Sequence, residues 1–166
     1  GIACAGKGLQ AAIDVLEPMT KDPADFVRQA AMISLSLVMI QQTEKMNPKV
    51  ASINSHFLSV ITNKHQEGLA KFGACVALGI MNAGGRNVTI QLENAETGTL
   101  DTKSVVGLAM FTQFWYWFPM AHFLSLSFTP TTIVGVRGSD LNIPKFDMNC
   151  YAREDVFSYP KMFEES

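Results

Sequence analysis

The chain has 166 residues, 48% of them hydrophobic and 17% charged, which is enough apolar surface for one sizeable core and too much for a disordered tail. Fifteen acidic against thirteen basic residues leave a net charge of −2, and that balance excludes both a nucleic-acid footprint and an acidic interaction segment. Cys4, Cys75 and Cys150 are odd in number, widely spaced and without a Cys-x-x-Cys pair, so neither a disulfide framework nor a zinc ribbon is indicated and a reducing compartment is expected.

The opening Gly1-Ile2-Ala3-Cys4-Ala5 has no initiator Met and no basic-then-apolar leader, and reads as part of a longer protein. Leu9, Ala12, Ile13 and Leu16 then recur at i, i+3, i+4 and i+7, one apolar stripe of a helix that should close near Pro18. Asp22-Pro23 restarts helix, because an Asp accepts orphan first-turn amides while a Pro at the next position loses no useful donor. Asn47-Pro48 repeats the device. Between these starts, Val27, Ala30, Ala31, Ser34, Leu35 and Val38 form a small-residue stripe, and Phe26, Ile33, Leu37 and Ile40 widen it, predicting a helix covered on two sides. A third helix should bury Val50, Ile53, Phe57, Val60 and Ile61. A fourth, from about Gln66 to Asn82, carries Ala70, Gly73, Ala74 and Ala77 on one face, small enough for a close helix neighbour.

These helices repeat. Arg28-Gln29-Ala30-Ala31 and Leu35-Ser36-Leu37 overlay Lys71-Phe72-Gly73-Ala74 and Leu78-Gly79-Ile80 at an offset of 43, and Ala5-Gly6 overlays Ala83-Gly84 at an offset of 78. A helix pair with a glycine-containing turn, at this spacing, is the unit of an α-solenoid, whose repeats bury their faces by stacking on neighbours. Gly6, Gly8, Gly84 and Gly85 are the expected structural turns, at positions that favour a left-handed backbone.

After Asn87, Val88, Ile90 and Leu92 alternate with polar residues as in a short strand, and Asn94 to Thr99 is a polar turn. From Ser104 to Val136 there is no Asp, Glu, Lys or Arg, and Val105 to Phe118 is apolar on every side of a helical projection. That length matches a membrane-spanning helix. However, the aromatics Phe114 to Phe118 sit mid-segment rather than at two interfaces, and Pro119 breaks the helix. Burial inside a large assembly, as two helical pieces split at Pro119, is the expected arrangement. Thr131 to Val136 and the alternating Phe146, Met148 and Cys150 predict a small β element at the end.

No catalytic constellation is visible. Gly1 to Gly8 spells a phosphate-binding loop except at its last position, where Gly8 stands in place of the Ser or Thr that would ligate Mg²⁺, and no strand precedes it. A nucleotide-binding module therefore stands only as a rival reading, beside a membrane-spanning fragment. His56, His65 and His122 fall on separate helices without metal spacing. Asn87-Val88-Thr89 is a glycosylation sequon by spelling, expected to be idle in a reducing compartment.

Ala5-Gly6-Lys7-Gly8, Ala12-Ile13, Leu16, Pro18, Asp22 and Val27 to Ala31, with Val76 to Gly84 as a second copy, resemble the proteasome/cyclosome repeat. His65 to Gly73, Asn82 to Asn87, Phe114 to Pro119 and Ser125 to Thr132 extend the resemblance to the repeat scaffolds of the proteasome regulatory particle. The resemblance implies a mainly α fold, an α-solenoid or toroid of helix-pair repeats followed by a small β-rich C-terminal element. The expected divisions are repeats over 1–87, a strand and loop insertion over 88–103, buried apolar helices over 104–128 and the β-rich element over 129–166. It also implies a non-catalytic scaffold in the base of the regulatory particle, cytoplasmic and nuclear. Such a scaffold organises ATPase and lid subunits and a ubiquitin receptor for ubiquitin-dependent protein degradation. No catalytic residue, metal ligand or cofactor, and no nucleic-acid or membrane partner, comes with the resemblance, and the family's ubiquitin-receptor site is expected to fall beyond Ser166.

Overall fold

The computed structural model describes residues 1–94, 97–131 and 136–143. These form a mainly helical domain with a small antiparallel sheet. Helices α1 (Gln10–Met19), α2 (Asp25–Val38), α3 (Lys49–Thr62) and α4 (Gly68–Met81) come first, then strand β1 (Val88–Ile90), helix α5 (Thr102–Phe114) and strand β2 (Phe128–Pro130). A 3-10 turn, Ile2–Cys4, precedes α1, the kinked turn Ala83–Arg86 precedes β1, and the 3-10 helix Met120–Ser127 precedes β2.

The helix boundaries follow local chemistry. Pro18 sits in the last turn of α1, and the Thr20 hydroxyl donates to the carbonyl of Glu17 at 2.7 Å, satisfying a carbonyl the helix end leaves open. Asp22 does not cap α2 as expected. Its Oδ1 accepts the amide of Ala24 at 2.9 Å, two residues on, so Asp22-Pro23 makes a turn and α2 starts later, from an extended Ala24. Asn47 forms the same bond to the amide of Lys49 at 3.0 Å, and there the helix does begin at once.

The four helices pack as two antiparallel-type hairpins, α1 on α2 and α3 on α4, with α2 against α4 as the largest interface. α2 faces two cores. Met32, Leu35 and Val38 join Ile13, Phe57 and Met81 in the cluster between the pairs. Ile33, Leu37 and Ile40 join Ile80, Phe111 and Leu124 in a second cluster under α5. This is the two-sided coverage that the widened stripe predicts, with one correction: Phe26 belongs to neither cluster and is exposed, because the helix begins only one residue before it.

β1 pairs antiparallel with β2, Thr89 opposite Thr129, and Leu92 lies beyond the strand, exposed. A single bridge, Glu93 to Leu100, closes the intervening loop. α5 starts at Asp101, whose carboxylate accepts the amide of Lys103 and the hydroxyl of Ser104. The chain then turns at Pro119, so the apolar run is two helical pieces. They meet closely: a Cβ on Gly107 would lie 2.6 Å from the carbonyl oxygen of Phe123, and the Ser127 hydroxyl donates to the carbonyl of Ser104 at 2.6 Å.

Burial of the whole 104–128 segment is not what the chain by itself provides. Ser104, Gly107 and Phe111 face inward from α5, whereas Tyr116, Trp117 and Phe118 are each more than half exposed. The physical reason is that a hairpin of two short helices has only one face to turn to the core, and the tip at Pro119 projects from it. Trp117→Ala is consequently expected to change the stability of this chain by less than about 0.5 kcal/mol, as at an ordinary surface site; a loss of several kcal/mol in thermal melts would show that the indole is covered. Among the described residues, no helix is long and apolar enough to cross a membrane. The strand readings at 146–150 and most of 131–136 lie outside the described residues.

Candidate functional site

The residues that join the two helix pairs are linked by several polar contacts. Arg28, near the start of α2 and largely buried, donates from Nη1 to the carbonyls of Asp22 at 2.6 Å and Pro23 at 2.8 Å. From Nη2 it pairs with Glu67, the residue at the N-terminal cap position of α4. One guanidinium thus fixes the α1–α2 turn and ties it to the next pair, a use of its planar fork that lysine could not reproduce. Lys49 does the same for the outer helices, reaching Glu17 of α1 at 2.7 Å. That bond raises the pKa of its ammonium above the ordinary value. Between α2 and α4, Gly73 lets the backbones approach, since a Cβ there would lie 2.7 Å from the Cα of Gln29.

A cleft of about 410 Å³ opens between the two hairpin turns, lined by Lys21, Arg28, His56, His65 and Glu67 among others. His65 is on the α3–α4 turn rather than on a helix, its amide bonded to Asn63 Oδ1. Partial burial pushes the His56 imidazole below its ordinary value near 6.5, and the Lys21 ammonium adds to the effect. His56 is therefore less readily protonated folded than unfolded. Its contribution to stability is full above about pH 6.5 and is lost as pH falls through the folded value. Thermal melts from pH 7.5 to 5.5 should show a smaller acid-induced drop for His56→Gln than for the native chain, and equal drops would refute the assignment. Among the described residues no group of His, Cys, Asp or Glu could hold a metal ion.

The four expected turn glycines all have positive φ, from +56° at Gly8 and Gly84 to +71° at Gly6. Gly6 and Gly8 do not connect the helices of one pair. Their amides donate to the carbonyls of Leu37 at 2.9 Å and Val38 at 3.0 Å, capping the end of α2. The same amides are thereby unavailable to phosphate oxygens. The phosphate-loop spelling therefore does not make a nucleotide site here. Gln42 seals the arrangement, donating from Nε2 to the carbonyl of Gly6 at 2.9 Å.

Left-handed residues other than glycine escaped sequence reasoning, Gln41 and Arg86 among them. Gln41 has φ +64° and stands 43 residues before Gly84, so Gln41 and Gly84 mark the same left-handed step after α2 and α4. The offset itself was the available signal. It was masked because glycine, the residue that usually announces a left-handed step, is replaced by glutamine. At Gly84 a side chain would meet both the left-handed backbone and the Val88 Cγ1 atom, 2.7 Å from an added Cβ. Gly84→Val should cost about 1–3 kcal/mol, and an unchanged melting point would sink the structural role of this turn.

By class this is a mainly helical protein in which side-chain ion pairs tie one helix pair to the next. Comparison with known proteins places it more narrowly. Residues 131–166 match the family described as the 26S proteasome regulatory subunit RPN2 C-terminal domain. Over all 166 residues the chain is 82% identical to the 26S proteasome regulatory subunit RPN2 of Saccharomyces cerevisiae, covering 18% of that protein. It is 48% identical to the 26S proteasome non-ATPase regulatory subunit 1 of Drosophila melanogaster, over 99% of the chain and 16% of that protein. It is 45% identical to homolog A of the same subunit in Arabidopsis thaliana, over 97% of the chain. The chain belongs to the RPN2 family of proteasome regulatory subunits, and it spans less than a fifth of the length of the relatives it matches.

Proposed function

We propose that this chain is a scaffold stretch of a non-ATPase subunit of the 26S proteasome regulatory particle, without catalysis of its own. It would hold ATPase and lid subunits and a ubiquitin receptor in place, in cytoplasm and nucleus. The observation that carries the reading is the identity of 82% along the entire chain to the yeast subunit. The geometry supports it, because the largest interface among the described residues is helix against helix. Affinity purification of the tagged full-length protein should recover ATPase and lid subunits in constant proportion. Recovery without them would refute the reading.

The two helix pairs are, in this proposal, consecutive units of an α-solenoid. α2 and α4 occupy equivalent places at the offset of 43 residues, and the faces they would use for stacking differ in coverage. On α4, Gly73 and Ala77 are buried against α2, whereas their counterparts Ala30 and Ser34 on α2 are only half-buried. Gly1 lies against Ser34, an added Cβ falling 2.7 Å from its Cα, so the Ile2–Cys4 turn already occupies part of that face. A preceding helix on Ala30 and Ser34 would complete the pattern. In the full-length protein, Ser34→Cys should resist alkylation; rapid labelling would count against stacked repeats.

A further inference from the structure

We propose that the cleft between the α1–α2 and α3–α4 turns binds a doubly charged tetrahedral oxyanion of the phosphate or sulfate kind, and that His56 takes up a proton as the anion enters. This is a small-ligand site, additional to the scaffold role and independent of it.

The first observation is a concentration of idle polar atoms. Among the described residues three buried side-chain nitrogens lack a hydrogen-bond partner, and two of them, Arg28 Nε and His56 Nε2, belong to residues that line this cleft. Folded proteins leave few such groups, and a bound ion is one of the things that accounts for them. Arg28 is only 8% exposed, and its Nη atoms are anchored on Asp22, Pro23 and Glu67, so its remaining N–H is a donor already fixed in place. At the rim, Lys21 and His65 are exposed, and among the described residues the Lys21 ammonium has no ion-pair partner. Donors thus come from both turns, from α2 and from α3. An anion with four oxygens can use donors from several directions, whereas a planar carboxylate presents only two oxygens.

Charge explains why a proton must accompany the anion. The fixed charges of the cleft cancel, Lys21 and Arg28 against Asp22 and Glu67. Both acids are engaged, Asp22 by the amide of Ala24 and Glu67 by Arg28, so neither is free to move far from the cleft. The histidines therefore set its sign. Besides these four charges and His65, the His56 imidazole feels Glu17 from α1. Burial and the Lys21 ammonium disfavour its charged form, while Glu17 and a backbone hydrogen bond from Thr20 favour it. An anion beside Lys21 cancels that repulsion and favours the imidazolium, whose Nε2 then becomes a donor.

The test is equilibrium dialysis of radiolabelled sulfate against the purified full-length protein. Sulfate keeps its double charge throughout the range used, so any pH dependence belongs to the protein. One saturable site should appear, tightening from about pH 7.5 to about pH 6 toward the roughly tenfold per pH unit that a single linked proton gives. Unlabelled phosphate should displace the sulfate, and acetate at equal ionic strength should not. Lys21→Gln should weaken binding several-fold and Lys21→Arg should retain it, whereas His56→Gln should flatten the pH profile, each with an unchanged circular dichroism spectrum. Absence of saturable binding, or binding insensitive to Lys21→Gln, would overturn the site. A flat profile in the native protein would overturn proton uptake at His56. Equal displacement by acetate would overturn the tetrahedral class of ligand.

Discussion

Replacing Phe57 by alanine is expected to cost about 3–5 kcal/mol, as emptying a fully buried aromatic site does. Among the described residues Phe57 is the largest side chain with no exposure at all, and it lies on α3 in the cluster that holds the two helix pairs together. Its removal takes away transfer free energy and leaves a cavity in the cluster to which Ile13, Met32 and Ala74 of three other helices also belong. Helices anchored in two hairpins cannot all move inward at once, so the cavity collapses only in part. Against a typical total stability of about 5–15 kcal/mol, such a loss approaches global unfolding. Urea denaturation followed by far-UV circular dichroism measures it, and a change below about 1 kcal/mol would mean that α3 is not part of the cooperative core.

Gly73→Val should produce the second largest effect, about 3 kcal/mol, by a different mechanism. The added Cβ would lie 2.7 Å from the Cα and 2.9 Å from the Cγ of Gln29. Because the first of these is backbone, no rotamer change relieves it, and α2 must move away from α4. The interface that moves is the largest between helices, and Arg28, Glu67 and their turn partners are tied across it. Gly79→Ala in the same helix provides the contrast. There the space is open, and alanine should stabilise the chain by up to about 1 kcal/mol through its helix propensity. Matching losses at both positions would show that the damage comes from the helix and not from the contact.

The organisation of the first half was legible because two periods coincide in it. The 3.6-residue stripe marks each helix, and the offset of 43 residues aligns the sequence of α2 with that of α4. Asn47-Pro48 gave the start of α3 directly. Asp22-Pro23 misplaced the start of α2, since an Asp preceding Pro can serve a turn as well as a cap and only the following residues decide which. The cation–carboxylate contact of Arg28 with Glu67, 39 residues apart, could not be read from either residue, although the basic character repeats at Lys71.

The second half was less legible for a compositional reason. With no charge from Ser104 to Val136, no residue type announces the solvent side, and all faces of α5 look alike. Tertiary packing alone decided that Ser104, Gly107 and Phe111 point inward while Trp117 projects. It also decided that Phe128–Pro130, three residues at the end of an apolar run, pairs with Val88–Ile90. So short a strand carries too little alternation to be seen, and its identity depends on a partner brought near by the α5 hairpin. By itself the sequence determined the four helices of the first half and the left-handed glycines beside them, because those follow from local sterics and periodicity. Which faces meet, which aromatics remain outside and which charges pair were settled only when distant segments came together, because burial is a property of the neighbour as much as of the residue.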